Sequence, residues 1–342
     1  MIVKNIHTPI YNLLRIVTVA LLLISTNTVA QTINDSITEP NPYIQKFDDY
    51  FSARLSMSNS FQSFKVDGGT ANTRFTLSPN QQVRTTATFM FRFIEVDIGY
   101  TPAFLKFNQD DDTRGKTKNF NLGTRFYINR WMQSLQYMTT KGYYVEGRQV
   151  GLNENIFFSD LKVTKIGGST SYVFNPNYSF RATYTQNEWQ KKSAGSFVPS
   201  VSYYYTKIND SDPGTDYNID IAAGPSYYYT LVLHEHFLLS GGIYGGVGYS
   251  STKTRYTNGT PKEQSDGISW QARYRLAAGY NNDAFYTGAN INFDSFYHHS
   301  GPGIKLADQQ HYFEFYVGYR FKASKRFLTK FDDTTTIKLK KH

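Results

Sequence analysis

The chain has 342 residues, of which 17% are aromatic, and a formal net charge of +9. It has no Cys, which excludes disulfides, thiolate metal sites, a Cys nucleophile and a lipidated N-terminal Cys. The positive charge is spread along the chain, with a local concentration only near its end, so nucleic-acid binding is not expected. With 28 Tyr, 26 Phe and 25 Gly, the composition is typical of many short strands joined by turns in one domain.

The N-terminus predicts export. Basic residues precede an apolar run at residues 16–24, and small residues follow that run up to Ala30. This is the order of a secretory signal peptide, with cleavage between Ala30 and Gln31. The run is too short for a membrane-spanning helix, which needs about 20 apolar residues. We therefore predict a signal peptide over residues 1–30 and a polar periplasmic linker over residues 31–49.

From residue 50 to residue 321, apolar and polar residues alternate in segments that are separated by polar turns and loops. Thirteen candidate strands lie within residues 51–66, 83–100 (two strands), 120–128, 132–144, 166–174, 178–185, 197–208, 219–233, 237–249, 268–280, 285–293 and 312–321. The clearest hairpin runs from Ile268 to Phe293. Successive side chains of a strand point to opposite faces, so this hairpin has one apolar face and one polar face. Bacterial single-chain barrels have even strand numbers, so we predict about twelve strands, with ten or fourteen as alternatives.

The polar faces favour a membrane barrel over a soluble one. They hold mainly Gly, Ser, Thr and Asn, whereas the outer face of a soluble sandwich would carry many Lys and Glu. Aromatic residues cluster near the segment ends, as interfacial girdles do. The last segment, residues 312–321, resembles the terminal strand of outer-membrane barrels. The predicted fold is therefore all-β: one antiparallel transmembrane β-barrel over residues 50–321, followed by a basic periplasmic tail over residues 322–342.

Charged residues on the polar faces are predicted to point into the lumen. They are Arg84, Arg92, Glu95, Asp97, Arg125, Arg181, Asp220, Arg273, Arg275, Asp294, Glu314 and Arg320. Buried charges need partners and both signs are present, so the first interpretation is a network that fills and rigidifies a narrow barrel. A polar or ion-selective path and a ligand-binding lumen are the alternatives.

Histidines near the barrel rim are a weaker candidate for catalysis. His298, His299 and Ser300, or His311, could serve a hydrolase that modifies outer-membrane lipid. A nucleophile needs a base within hydrogen-bond reach and a group that orients this base, and two adjacent His beside a Ser do not provide that arrangement. The sequence has no G-x-S-x-G elbow. No catalytic residue is therefore predicted.

Two other polar clusters could attract metal ions. His234 and His236 are two residues apart, so they could share a face and a metal ion, but no third ligand is evident. A polar hairpin turn is the favoured interpretation. The acidic run Asp110–Asp112 lacks the spacing of a calcium loop and is interpreted as a solvated loop. No metal and no cofactor are predicted.

Three stretches carry a family resemblance. They are Gln190, Lys191, Lys192, Ser193, Ala194, Gly195 and Ser196; Tyr137 with Lys141–Tyr144; and Tyr172–Asn175 with Ser179–Ala182. Together with the signal peptide and the closing strand, they resemble a family of Gram-negative outer-membrane barrels described as domain of unknown function 4421. The resemblance implies a barrel in the outer membrane without an established activity. The 190–196 run is interpreted as a tight turn between two strands, whose Gly takes a positive φ; an anion site formed by backbone N–H groups and the two Lys is the alternative.

These patterns predict a non-enzymatic protein of the Gram-negative outer membrane, either a narrow pore or a structural or interaction barrel. A lipid-modifying enzyme at the rim and a soluble secreted barrel that binds a ligand inside are the alternatives. The expected partners are outer-membrane lipid, lipopolysaccharide and, during insertion, the barrel-assembly machinery. The chain is expected to be a monomer by default.

Overall fold

The computed structural model describes residues 41–68, 74–92, 94–210, 214–256, 263–299 and 305–335. The strands of these ranges are β1 (Ile44–Lys46), β2 (Tyr50–Asp67), β3 (Arg74–Ser78), β4 (Val83–Phe91), β5 (Ile94–Tyr100), β6 (Lys118–Ile128), β7 (Trp131–Val145), β8 (Ile156–Tyr172), β9 (Glu188–Gln190), β10 (Ala194–Phe197), β11 (Ser200–Asn209), β12 (Gly214–Gly224), β13 (Ser226–Leu233), β14 (Phe237–Tyr256), β15 (Glu263–Asn281), β16 (Phe285–His299) and β17 (Lys305–Lys322). The α-helices are α1 (Asp111–Arg114), α2 (Arg181–Tyr184) and α3 (Lys325–Thr335). Within the same ranges, no helix has the length and apolar character needed to cross a membrane.

Ten antiparallel strands close into a ring. In the part of the chain that the structure describes, their order is β2, β3, β7, β8, β11, β12, β14, β15, β16 and β17, and β17 pairs with β2 again. The predicted hairpin over residues 268–293 is β15 and β16, which pair with Trp270 opposite Tyr297. The prediction of a closed antiparallel barrel is therefore confirmed.

One half of the wall contains additional strands. β3 and β4 pair one after the other with the same side of β2. On the other side of the barrel, β10 continues the direction of β11, and β13 continues that of β12. Each of these pairs is interrupted by a proline, Pro199 or Pro225, whose nitrogen cannot donate to the ladder. β5 then pairs with β4, and β6 pairs with β7. Short turns, the start of β2 and the end of β17 lie at this end, as at the periplasmic end of outer-membrane barrels. The periplasmic half of the described wall thus has about the predicted twelve strands, and ten strands close the other half.

The two faces of the wall have opposite chemistry. Leu276 on β15 is 57% exposed, whereas its neighbours Arg275 and Ala277 are 3% and 4% exposed. Other large apolar side chains that are exposed on the wall include Leu55, Ile98, Leu122, Ile166, Ile221, Leu239, Ile243, Trp270, Ile291 and Phe313. A monomeric soluble protein rarely exposes apolar patches larger than a few hundred Å². The barrel is therefore a transmembrane one, with its apolar face toward lipid and its polar face toward the lumen.

The first part of the basic tail packs against the base of the barrel. In α3, Phe327 contacts Phe51 and Phe91, with ring centroids 4.9 and 5.1 Å apart. Arg92, in the turn after β4, donates to the Asp332 carboxylate of α3, and this hydrogen bond raises the pKa of the Arg92 guanidinium. The helix therefore covers the place where the first and last strands of the barrel meet.

Gly318 gives a test of lumen packing. A Cβ at this position would lie 2.1 Å from Cζ of Tyr286, a ring that is fully buried. We expect Gly318→Ala to lower the free energy of unfolding by about 1–3 kcal/mol, because overpacking forces a buried ring from its position. Gly245→Ala is the matched control, since no heavy atom lies within 4 Å of its Cβ position. The measurement is urea unfolding of the barrel in liposomes; equal stability of the two variants would contradict this packing.

Candidate functional site: the barrel lumen

Residues 173–193, here called the plug, connect β8 to β10, and after Phe174 the chain leaves the wall and enters the lumen. The chain turns at Asn175, whose carbonyl accepts from Tyr178 N at 3.2 Å. Ala182 and Thr183 of α2 are 0% and 1% exposed, and Tyr178 is buried as well. The predicted strand over residues 178–185 is therefore wrong. Its alternating apolar residues pack inside the barrel, where polar wall residues and aromatic rings provide a mixed environment.

Arginines on three different wall strands hold the plug by its backbone. Arg275 on β15 donates to Thr183 O at 2.9 Å, and Arg54 on β2 donates to Tyr184 O at 3.4 Å. Arg320 on β17 donates to Gln186 O through Nη2 at 2.6 Å and through Nε at 3.1 Å. Because β2, β17 and β15 lie within four consecutive strands of the ring, these arginines hold the plug to one side of the wall.

The periplasmic end of the plug forms a completely buried layer, called the lower layer. Gln186 donates to the Tyr316 hydroxyl at 2.9 Å. Gln186, Tyr316, Tyr286, Asn281 and Arg320 are each at most 2% exposed. The layer is supported from below, where β1 pairs with β9 of the plug. In the described residues, this layer joins the plug to β15, β16 and β17 at the periplasmic end of the lumen.

A second buried layer, called the upper layer, lies in the opposite half of the barrel. Lys165 on β8 donates to Asp308 Oδ2 on β17 at 2.7 Å, and Gln62 on β2 donates to the other carboxylate oxygen, also at 2.7 Å. Lys165 is 0% exposed and its Nζ lies 3.8 Å from the Phe296 ring centroid. The apolar residues Phe64, Tyr143, Leu161 and Val163 form a buried cluster in the same half. The upper layer thus joins several wall strands across the lumen.

Between the two layers the lumen is less tightly filled, and this region is called the middle lumen. Asn292, Asp294, Gln310 and Tyr312 face inward from β16 and β17, yet they remain partly exposed. Asp294 accepts from Arg273, and Glu314 lies 4.0 Å from Arg54. The middle lumen is therefore polar and carries both signs of charge.

Most of the predicted lumen charges lie on the inner face, where they form separate contacts rather than one network. Arg84 donates to Gly99 O at 3.5 Å, Asp97 accepts from Thr88, and Asp220 accepts from Asn218 at 2.6 Å. The other charged residues on the inner face have the contacts described above or below; they are Arg125, Arg273, Arg275, Asp294, Glu314 and Arg320. The side chain of Glu95 lies outside the described part of the structure.

Two predicted lumen residues lie elsewhere. Arg92 is not on the inner face: its φ is 51°, and it belongs to the turn after β4, where it pairs with Asp49 and Asp332 outside the lumen. Arg181 is inside the barrel but on the plug, not on the wall, and it lies 3.7 Å from Glu188. Both corrections have the same cause, because a strand pattern was extended through residues that turn out of the wall.

The sequence did not reveal the ion pair of the upper layer. Lys165 precedes the alternating segment that begins at Ile166, and Asp308 lies in a stretch predicted as a loop. Both strands extend beyond those limits, since β8 starts at Ile156 and β17 at Lys305. Arg54 was missed because the first strand is loosely patterned. Complete strand bounds would have been the signal for Lys165 and Asp308.

The run that carries the family resemblance fixes the far end of the plug. Gln190 is 1% exposed, accepts from Ser179 N at 2.9 Å and donates to Asn177 O at 2.7 Å. Ser193 accepts from Val232 N at 2.9 Å, and the residues that follow form β10. The prediction of a tight turn with a positive-φ Gly is wrong, since Gly195 lies within a paired strand. A Cβ there would lie 2.5 Å from the Tyr227 hydroxyl, which accounts for glycine at this position.

The described candidate histidines lie in a turn or stack on an aromatic ring. His234 and Glu235 have φ values of 51° and 62° in the turn between β13 and β14. Glu235 O accepts from Trp189 Nε1 of the plug at 2.8 Å, so this turn helps to hold the plug. His311 faces outward and stacks on Phe61, with ring centroids 4.5 Å apart. The side chains of His298, His299 and Ser300 lie outside the described part of the structure.

The predicted acidic loop is also described. Asp110 lies 3.0 Å from Arg114, and Asp111 accepts from Asn80 Nδ2 at 3.2 Å. Among the described residues, no group of three or more His, Asp or Glu side chains could hold a metal ion.

Comparison with known proteins identifies the family of this chain. The model of the family described as Domain of unknown function (DUF4421) matches residues 34–321. The chain belongs to this family. That match includes the described barrel, the plug and the run over residues 190–196. No curated protein matches the chain.

The solved structures that match this chain are only distantly similar to it. The outer membrane protease OmpT of Escherichia coli is 7% identical, with 81% of this chain and 98% of that chain covered and a TM-score of 0.40. Ail, the attachment invasion locus protein of Yersinia pestis, is 10% identical, with coverages of 79% and 98% and a TM-score of 0.22. The toluene transporter TodX of P. putida is 8% identical, with coverages of 80% and 90% and a TM-score of 0.20. Likeness at this level carries no functional information.

Proposed function

We propose that the protein is a non-enzymatic β-barrel of the Gram-negative outer membrane, exported by its signal peptide, without a continuous axial pore. The observation that supports this proposal is the presence of two buried layers, the lower layer around Gln186 and the upper layer around Lys165. The upper layer joins side chains of β2, β8 and β17 across the lumen, and the lower layer joins the plug to β15, β16 and β17. Of the two roles expected from the sequence, a narrow pore and a structural or interaction barrel, the layers favour the second.

Planar-bilayer conductance tests the closed lumen. We expect the wild-type protein to be silent, and we expect it to stay silent when residues 178–187 are replaced by a Gly/Ser linker of equal length, because the upper layer remains. Adding Lys165→Ala and Tyr204→Ala to that linker variant should produce stable conductance, because the Tyr204 ring belongs to the upper layer, with its centroid 4.6 Å from Lys165 Nζ. The control replaces Leu152–Glu154, an exposed stretch before β8, by the same type of linker. Steady conductance of the wild-type protein would overturn the proposal. Conductance of the linker variant without the two added substitutions would show that the plug alone closes the lumen.

Membrane location and the absence of catalysis need separate tests. A closed transmembrane barrel resists SDS until it is heated, so boiled and unboiled samples of the outer-membrane fraction should migrate differently. For catalysis, His298→Ala combined with His299→Ala should leave the lipid composition of the host membrane unchanged. A changed composition would favour the rim enzyme.

A further inference from the structure

The periplasmic half of the wall has an opening between β5 and β6. In the described chain, β5 pairs only with β4, and β6 pairs only with β7. In the other half, β3 pairs directly with β7 through Leu77 opposite Val145, so the wall is closed there. Both β5 and β6 meet short turns at the periplasmic end, so the opening faces the periplasmic leaflet of the membrane.

The two sides of this opening differ in polarity. On the lipid side, Ile98 of β5 and Leu122 of β6 are 67% and 62% exposed. On the lumen side lie Asp97 of β5 and Arg125 of β6, and both are exposed as well. Exposure of a lumen-facing arginine means that the middle lumen can be reached through the opening. Unpaired strand edges are not tolerated in contact with lipid, so they require water or a bound molecule between them.

Two arginines without a carboxylate partner lie behind the opening. The guanidinium carbons of Arg125 and Arg275 lie 4.3 and 3.0 Å from the ring centroid of Tyr184 on the plug. Arg275 lies opposite Asn292 and is therefore at the level of the middle lumen. It is 3% exposed, and its Nε and Nη1 have no hydrogen-bond partner among the described residues.

The neighbouring arginines, in contrast, do have carboxylate partners. Arg54 and Arg181 each lie within 4.0 Å of a carboxylate, that of Glu314 and that of Glu188 respectively. No such carboxylate is found for Arg125 or Arg275 in the described part of the chain. A buried guanidinium without a counter-charge is unfavourable, and phosphate oxygens satisfy the guanidinium fork well.

We propose that the opening admits a phospholipid from the periplasmic leaflet, whose anionic phosphate head is bound by Arg125 and Arg275 beside Tyr184. The acyl chains remain between the apolar outer sides of β5 and β6. The ligand thus reaches the middle lumen from the membrane and not along the barrel axis, which the two layers close. This inference rests on the proposed function for the membrane location and for the closed barrel axis.

Photo-crosslinking with a lipid probe tests this site. The full chain is reconstituted in phosphatidylcholine vesicles that contain phosphatidylglycerol with a diazirine in its acyl chain, and crosslinked peptides are mapped by mass spectrometry. We expect crosslinks to concentrate in residues 96–100 and 120–126. Arg125→Gln with Arg275→Gln should reduce them roughly tenfold, since two charge-assisted contacts are lost. If Arg275→Gln prevents folding, Arg125→Gln alone should still reduce them several-fold, because Arg125 is exposed.

The control removes a paired lumen arginine by the same chemistry. Arg273→Gln with Asp294→Asn should leave the crosslinks unchanged, because that pair already satisfies itself. Crosslinks spread evenly around the wall, or unaffected by loss of Arg125, would overturn the proposal. Displacement of the probe by millimolar inorganic phosphate would show a free-phosphate site instead of a lipid site. Paired β5 or β6 edges in a dimer would overturn it in favour of a second copy.

Heat-modifiable gel mobility tests the membrane barrel independently of lipid binding. A wild-type sample without heat-modifiable mobility would refute the membrane barrel itself, whereas a heat-modifiable barrel without localised crosslinks would refute only the lipid site.

Discussion

Arg320→Met is expected to free the plug from the wall while the barrel stays closed. Arg320 is 2% exposed and also donates through Nη1 to Asn281 Oδ1 and Asn282 O, both at 2.8 Å. Together with the two bonds to Gln186, the guanidinium joins the plug to the turn between β15 and β16. Hydrogen bonds to charged groups contribute about 1.5–3 kcal/mol each, but removal of the buried charge offsets part of this loss. We expect the free energy of unfolding to fall by about 3–5 kcal/mol.

Limited trypsin digestion of the folded barrel measures the release. The plug contains Arg181, Lys191 and Lys192, so a freed plug should be cut there while the unboiled sample keeps its fast mobility. Arg148→Met is the control, because Arg148 is an exposed residue paired with Glu146 outside the lumen. A plug that resists trypsin in Arg320→Met would show that the remaining contacts hold it without this arginine.

Lys165→Met should have the second largest effect, through the upper layer. The substitution leaves the Asp308 carboxylate, whose side chain is 4% exposed, with Gln62 as its remaining described donor. Removing one partner of a buried pair typically costs about 3–5 kcal/mol, because an uncompensated charge stays buried. Adding Asp308→Asn removes that charge, so the double variant should regain most of the lost stability.

The matched control is an ion pair of the same type on the surface. Lys141 and Asp160 lie 2.9 Å apart, with side chains 46% and 66% exposed. We expect Lys141→Met to change the free energy of unfolding by less than about 1 kcal/mol, since water screens such pairs. Urea unfolding in liposomes compares the three variants. Equal losses for Lys165→Met and Lys141→Met would show that the upper layer is hydrated.

The wall could be predicted from sequence because its pattern is local. Trp270 and Leu276 alternate with Arg273 and Arg275, and two-residue periodicity alone fixes which face each side chain takes. The number of strands was harder to predict, because β3 and β4 share one side of β2 and only pairing reveals where the ring closes. The lipid-facing side could be assigned because the polar faces lack the many Lys and Glu of a soluble surface. This assignment did not require knowledge of contacts between residues.

The lumen contents could not be predicted in the same way. Tyr178, Phe180 and Ala182 alternate as wall residues do, but a segment inside a lumen meets rings and polar groups on all sides and can follow the same pattern. The partner of Lys165 is 143 residues away in the sequence. Neither periodicity nor spacing indicates such a pair. The opening between β5 and β6 is likewise a property of pairing, and both strands individually read as ordinary members of the wall.

Helix α3 has a consequence for the order in which the chain assembles. Its docking surface includes Phe51 of β2, and Phe51 in turn stacks on Phe321 of β17, with ring centroids 5.5 Å apart. The helix follows β17 in the chain and docks on β2 and β4, so it bridges the junction at which the barrel closes. It must therefore detach before the periplasmic end of the β2–β17 junction can separate. Such a contact slows unfolding more than it speeds folding, so it adds kinetic lifetime to the inserted protein.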